Sequence, residues 1–277
     1  MIPPVANNFV AGEDAESALS YVSDVNERGI RGIVNLLGEH YDSRADADAD
    51  AREYLELVER IGDSDLDCTV SVKPSQIGLG AGETAFEENL ERIVERATER
   101  DVFVWVDMED HETTDATLDA FEANARASDG NVGVCVQANL KRTGEDLARL
   151  ADVPGKVRLV KGAYDEPKSL AYKDKSVVDE KYREYLEFMF REFDDGVAVG
   201  SHDLSMVNFA ADLYREHRTP FEVQMLMGVR EDVQEQLVGR MPVYQYIPYG
   251  DKWMSYFYRR VRERKENALF ALRAVLS

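Results

Sequence analysis

Cysteine is scarce in this sequence: its 277 residues include two, Cys68 and Cys135. Both stand in apolar runs and read as buried small hydrophobes in a reducing compartment, which excludes a disulfide scaffold. Histidine is almost as sparse. His40, His111, His202 and His217 are scattered without His-x-His or His-Glu-x-x-His spacing, so no metal site is expected. No apolar stretch approaches the roughly 18 residues needed to cross a bilayer, and no charged-then-apolar leader begins at Met1, so the expected location is the cytoplasm. A Gly-x-Ser-x-Gly elbow and a Walker loop are both missing, against hydrolase and nucleoside-triphosphate chemistry. Gly78-Leu-Gly-Ala-Gly82 lacks the full dinucleotide fingerprint and the acid that should follow it, and reads as a plain β/α turn. Lysine is under-used, with ten of the 33 basic residues, and the 54 acidic residues leave a net charge of −21. Such a field repels nucleic acid and anionic membrane. Together with Asp-rich runs such as 46–50, it suggests a salt-rich cytoplasm, where screening over a few Å removes self-repulsion. An ordinary acidic solvated surface is the plainer explanation of the same residues.

Apolar residues make up 44% of the chain, with 18 Gly and 8 Pro, so it is globular and neither disordered nor fibrous. Short β-branched runs recur, each followed by an amphipathic segment rich in Glu, Arg, Ala and Leu. The strand candidates are 32–37, 68–72, 102–108, 132–137, 157–161, 197–201, 221–226 and 243–247. The intervening segments carry helical spacing, for example 82–100 with Phe86, Leu90, Ile93 and Ala97 on one face, and a further helix at about 15–28 precedes the first strand. Eight such units match a (β/α)8 TIM-like barrel better than an open sheet. Nothing in composition divides the chain, so residues 1–277 are expected to form one domain. The loop after the fifth strand, 165–179, is expected to be a mobile cover.

A barrel of this kind carries its active site at the carboxyl ends of the strands. The polar residues expected there are Lys73, Asp107, Glu109, Gln137, Arg158, Lys161, His202, Gln224 and Tyr246. Internal salt bridges, such as Lys73 with Asp107, account for single members more simply than for the whole ring, since burying an unpaired ion costs several kcal/mol. In the last helix, from about residue 252, Tyr256, Arg259, Arg260 and Glu263 fall at i, i+3, i+4 and i+7. Two neighbouring guanidiniums with an acidic orienter suit a carboxylate, and an exposed charged helix would explain the same letters.

Arg158-Leu-Val-Lys-Gly-Ala-Tyr164 with Glu166, Val136-Gln-Ala138, and Tyr246-Ile-Pro-Tyr-Gly250 leading into Tyr256-Phe-Tyr-Arg-Arg260 form a more specific pattern. Over about residues 9–267 the chain resembles the flavin-dependent proline dehydrogenases, in the form that stands alone rather than fused to an aldehyde dehydrogenase. The resemblance implies a distorted barrel holding FAD at its carboxyl end, with the eighth helix lying over the mouth. It implies that Arg259, Arg260 and Lys73 hold the carboxylate of L-proline while Tyr164, Leu226, Tyr246 and Tyr256 enclose the ring. The implied flavin contacts are Met108, Gln137, Arg158, Lys161, Gly162, Ala163, Ser201, His202 and Gln224. Asp107 and Arg158 match the catalytic positions, and Glu263 the acid that steadies the Arg pair. The implied product is Δ1-pyrroline-5-carboxylate, the first step of proline catabolism, with electrons passed to a quinone through peripheral contact with the membrane. The chain departs from the family pattern at Ser201 (usually Thr), Met227 (a common His position), Asn139 (a frequent aromatic) and Arg264 (usually Asn). Read from the residues alone, a Schiff-base aldolase using Lys161 and a barrel that only binds a flavin or amino acid are the competing readings. The sequence sets no oligomeric state.

Overall fold

A computed structural model describes residues 8–254. Eight strands close into one all-parallel barrel in chain order: β1 (Arg31–Leu36), β2 (Cys68–Val72), β3 (Val104–Val106), β4 (Val132–Gln137), β5 (Lys156–Val160), β6 (Val197–Gly200), β7 (Phe221–Leu226) and β8 (Val243–Tyr249). Closure comes from β1 against β8, in register from Arg31 opposite Tyr244 to Leu36 opposite Tyr249. The expected (β/α)8 class is therefore the observed one.

The helices are α1 (Ala15–Glu27), which precedes β1, and α2 (Arg44–Gly62), α3 (Glu83–Glu99), α4 (Thr114–Ala127), α5 (Thr143–Leu150), α6 (Lys175–Glu192), α7 (Leu204–His217) and α8 (Glu231–Leu237), one after each of the first seven strands. Side-chain caps set several of their starts: Asp14, Asp174 and Asp203 each accept a hydrogen bond from the backbone N–H two or three residues on. The main core lies between the outer strand faces and the helices. It is built from residues such as Val70, Val104, Val134, Leu159 and Val199 against Tyr54, Leu90, Phe121 and Leu186. A smaller cluster, Ile33, Trp105, Ala198 and Tyr244, fills the barrel interior. Gly133 makes room for it, because a Cβ there would lie 2.6 Å from the Trp105 ring. Cys68 and Cys135 are both buried and free. Among the described residues, no helix is long and apolar enough to cross a membrane.

β1, β5 and β6 differ from expectation by a single residue at one or both ends, and three larger differences have a physical reason. The run 102–108 contributes only Val104–Val106 to the sheet, since register with β2 covers Val70–Val72 alone, although the Asp107 N–H still reaches the Val72 carbonyl at 2.9 Å. β8 runs on through Pro248 to Tyr249 because β1 offers partners that far. The segment 165–179 is not all loop: with Asp174 as cap, α6 begins at Lys175. The rest of it is fastened rather than loose. Leu140 and Ala171 form a β-bridge, Lys141 N donates to Leu170 O (2.9 Å), and Tyr172 N donates to Asn139 O (2.8 Å). The helix expected to follow β8, with Tyr256, Arg259, Arg260, Glu263 and Arg264, lies outside the described residues.

Candidate active site

Alternation along the strands decides which side chains enter the barrel. On β2 it turns Ser71 and Lys73 inward, on β5 Arg158, on β7 Gln224, and on β8 Tyr246. Asp107 follows directly on β3. These residues converge. The Asp107 carboxylate accepts from Ser71 Oγ at 2.8 Å and from the Tyr246 hydroxyl at 2.7 Å, and it forms ion pairs with Lys73 through one oxygen and Arg158 through the other. Lys73 Nζ also donates to the Tyr246 hydroxyl at 3.1 Å. The Arg158 guanidinium, 5.0 Å from the Trp105 ring centroid and 5.9 Å from that of Tyr246, is buried and donates its remaining terminal nitrogen to Gln224 Oε1 at 3.0 Å.

The Lys73–Asp107 salt bridge, the plainer explanation of those two residues, thus exists as part of a larger cluster in which two cations share one carboxylate. Burial alone would push the Asp107 carboxyl up, but Lys73 and Arg158 outweigh it and hold the group well below the usual carboxylate range. Burial would likewise lower Lys73, and the Asp107 charge reverses that direction.

Around this cluster the other expected residues ring the carboxyl ends. Gln137 closes β4 and donates to the Glu109 carbonyl at 2.8 Å, while the buried Glu109 carboxylate accepts from Ser75 N (2.7 Å) and Ser75 Oγ (2.8 Å). Met108 is buried beside Asp107. Beyond β5, Lys161 Nζ lies 2.5 Å from Asp179 Oδ1 and 3.0 Å from Asp203 Oδ2. Burial would push the Asp203 carboxyl up, but Lys161 and Ser205 bring it down to about 2. Gly162 and Ala163 follow, with Tyr164 half-buried in electrostatic contact with Lys73. Glu166 is buried and accepts from the His111 backbone N–H at 2.9 Å, tying the loop after β5 to the segment after β3. Ser201 is buried after β6, and His202 Nε2 accepts from the Leu226 N–H at 3.3 Å.

The residues missed were Ser71, Asp179 and Asp203. Period-two spacing from Lys73 was the available signal for Ser71. An Asp two residues before Ser205, opening an apolar helical run, was the signal for Asp203.

Lys161, Gly162, Ala163, Tyr164 and Asn139 line a cavity of about 400 Å³. Asn139 Oδ1 is buried without a hydrogen-bond partner, and the Asn139 amide lies directly against Gly162, at φ +104, where a Cβ would lie 2.1 Å from that oxygen. Gln137, Arg158, Lys161 and Gln224 are amides and cations of the kind that would fit a flavin ring, with its imide and its negative charge when reduced.

A family model described as proline dehydrogenase matches residues 18–273. The chain belongs to the proline dehydrogenase family. It is 35% identical over 277 residues to proline dehydrogenase 1 of Bacillus subtilis subsp. natto, covering 98% of this chain and 90% of that one. To the proline dehydrogenase of Deinococcus radiodurans it is 36% identical over 280 residues, with the same coverage. Among solved structures it is similar to proline utilization A (PutA) from Bdellovibrio bacteriovorus inactivated by N-propargylglycine. That fold match has a TM-score of 0.84 at 23% identity and covers 92% of this chain and 32% of that one. The chain therefore spans about a third of the length of the solved structure.

Proposed function

We propose that this proline dehydrogenase family member oxidises L-proline to Δ1-pyrroline-5-carboxylate, as the first step of proline catabolism, with FAD as cofactor and a quinone as the final acceptor. The observation that carries the reading is the cluster of Lys73, Asp107, Arg158 and Tyr246 at the carboxyl ends of a barrel whose family is proline dehydrogenase. FAD, when bound, supplies the hydride acceptor.

The chain's own residues supply the rest. Lys73, together with Arg259 and Arg260, binds the substrate carboxylate, each charge-assisted hydrogen bond contributing about 1.5–3 kcal/mol. Tyr164, Leu226, Tyr246 and Tyr256 would wall the pyrrolidine ring, orient it and exclude water. Lys73 and Arg158, as cationic neighbours in a low-dielectric site, favour the neutral substrate amine, whose lone pair assists loss of hydride. Asp107 keeps the two cations and the Tyr246 hydroxyl in place. Met108, Gln137, Lys161, Gly162, Ala163, Ser201, His202 and Gln224 would hold the cofactor, and the Arg158 cation would stabilise negative charge on it. Residues 1–277 act as one catalytic barrel, and the enzyme works in a salt-rich cytoplasm, meeting the membrane surface only to pass on electrons.

A Schiff-base aldolase is disfavoured because Lys161 stands between Asp179 and Asp203 rather than in the apolar pocket that a nucleophilic amine needs. The test is to purify the protein in concentrated salt, identify the released chromophore by mass spectrometry, and add proline without air. FAD and a proline-dependent bleaching of its yellow band are expected. A colourless protein that turns over no proline would overturn the reading.

A further inference from the structure

The barrel interior carries a second polar line, running from the cluster toward the amino-terminal end. Glu222 and Gln224 stand two apart on β7, so both side chains face inward. Glu222 is 6% exposed. Its Oε2 accepts from Lys156 Nζ at 2.6 Å, and its Oε1 accepts from Gln224 Nε2 at 2.7 Å. At the other end of the same amide, Gln224 Oε1 accepts from Arg158 at 3.0 Å. Lys156 is itself seated over the rings of Phe103 and Tyr244, 5.0 and 5.8 Å from their centroids.

A carboxylate only accepts hydrogen bonds, a guanidinium only donates them, and a primary amide offers one end of each kind. A glutamine between Glu222 and Arg158 therefore satisfies both neighbours in one orientation alone. Turned over, it would set its NH2 against the guanidinium and its oxygen against the carboxylate, and each buried group left unpaired costs about 1–3 kcal/mol.

We propose that Glu222 is a positioning residue: anchored by Lys156 at the far end of the barrel, it sets the amide orientation of Gln224 and through it the aim of the Arg158 guanidinium. The inference rests on the reading of Arg158 and Gln224 as cofactor-facing groups. Glu222 itself lies behind them and acts only through them, so its removal should alter the chemistry more than proline binding.

The test uses the holoenzyme and Glu222→Gln, which keeps the shape but no longer dictates which end of Gln224 faces it. Per bound flavin, kcat should fall about tenfold or more while KM for proline moves less than about threefold. The visible flavin band should shift, and the apoprotein should bind FAD more weakly by fluorescence quenching. Glu222→Asp keeps an acceptor-only group at this position and leaves Gln224 unaltered. Its kcat per flavin should stay within about threefold of the parent, and it also serves if Glu222→Gln alone does not fold. Unchanged kcat per flavin and an unchanged band in Glu222→Gln would overturn the inference, as would a loss confined to melting temperature and flavin content. A Glu222→Asp variant no better than Glu222→Gln would overturn it too. In each of these cases a parent that is yellow and bleached by proline leaves the proposed function standing, whereas a parent lacking both properties removes the two together.

Discussion

Replacing Asp107 by Asn would change little in shape and much in energy. Asp107 accepts from Ser71, Tyr246, Lys73 and Arg158, two of them cations. An Asn side chain turns an NH2 toward part of this donor set and leaves two largely buried cations without a counter-ion. Breaking a buried pair by removing one partner costs about 3–5 kcal/mol, which for a chain of this length lowers the melting temperature by on the order of 10 °C. The sign of the pH dependence follows from the direction of the shift. The Asp107 carboxyl is held below the usual range in the folded protein, so its contribution is fully present above the ordinary carboxylate value of about 4. It is lost as pH falls from there through the depressed folded value. Thermal melts of parent and Asp107→Asn, followed by circular dichroism, should differ most near neutrality, and the gap should close on acidification. Proline oxidation should fall about a hundredfold or more, because Lys73 and Arg158 lose their common anchor. Melting temperatures within about 2 °C of each other at neutral pH would refute the reasoning.

Gly162→Ala should place a Cβ 2.1 Å from Asn139 Oδ1 at a backbone φ of +104, lowering both the melting temperature and the flavin retained on gel filtration; strain at such a position is about 1–3 kcal/mol. Arg259→Lys or Arg260→Lys should raise KM for proline roughly tenfold to a hundredfold while leaving flavin content unchanged, since an ammonium cannot reproduce the planar fork; an unaltered KM would remove the carboxylate role. With a net charge of −21, the protein should melt at a higher temperature in molar potassium chloride than in dilute buffer, and equal values would remove the salt adaptation.

The amino-acid order by itself determined the element series. Eight β-branched runs alternate with amphipathic segments, and these local patterns are short-range enough to read along the chain; 68–72, 132–137 and 221–226 match β2, β4 and β7 end to end. The motif from Arg158 to Tyr164 marked the family in the same way. Pairing decided the ends of the other strands, because a residue such as Val102 or Met108 joins the sheet only if a neighbouring strand offers it a partner in register. Only the closed barrel decided the site. Lys73, Asp107, Arg158 and Tyr246 lie up to 173 residues apart in sequence and meet because closure of β8 on β1 turns one face of every strand toward a common axis. The hydrogen-bonded line from Lys156 through Glu222 and Gln224 to Arg158 has the same origin: it passes between β5 and β7, and no local pattern encodes a contact that exists only across a filled interior.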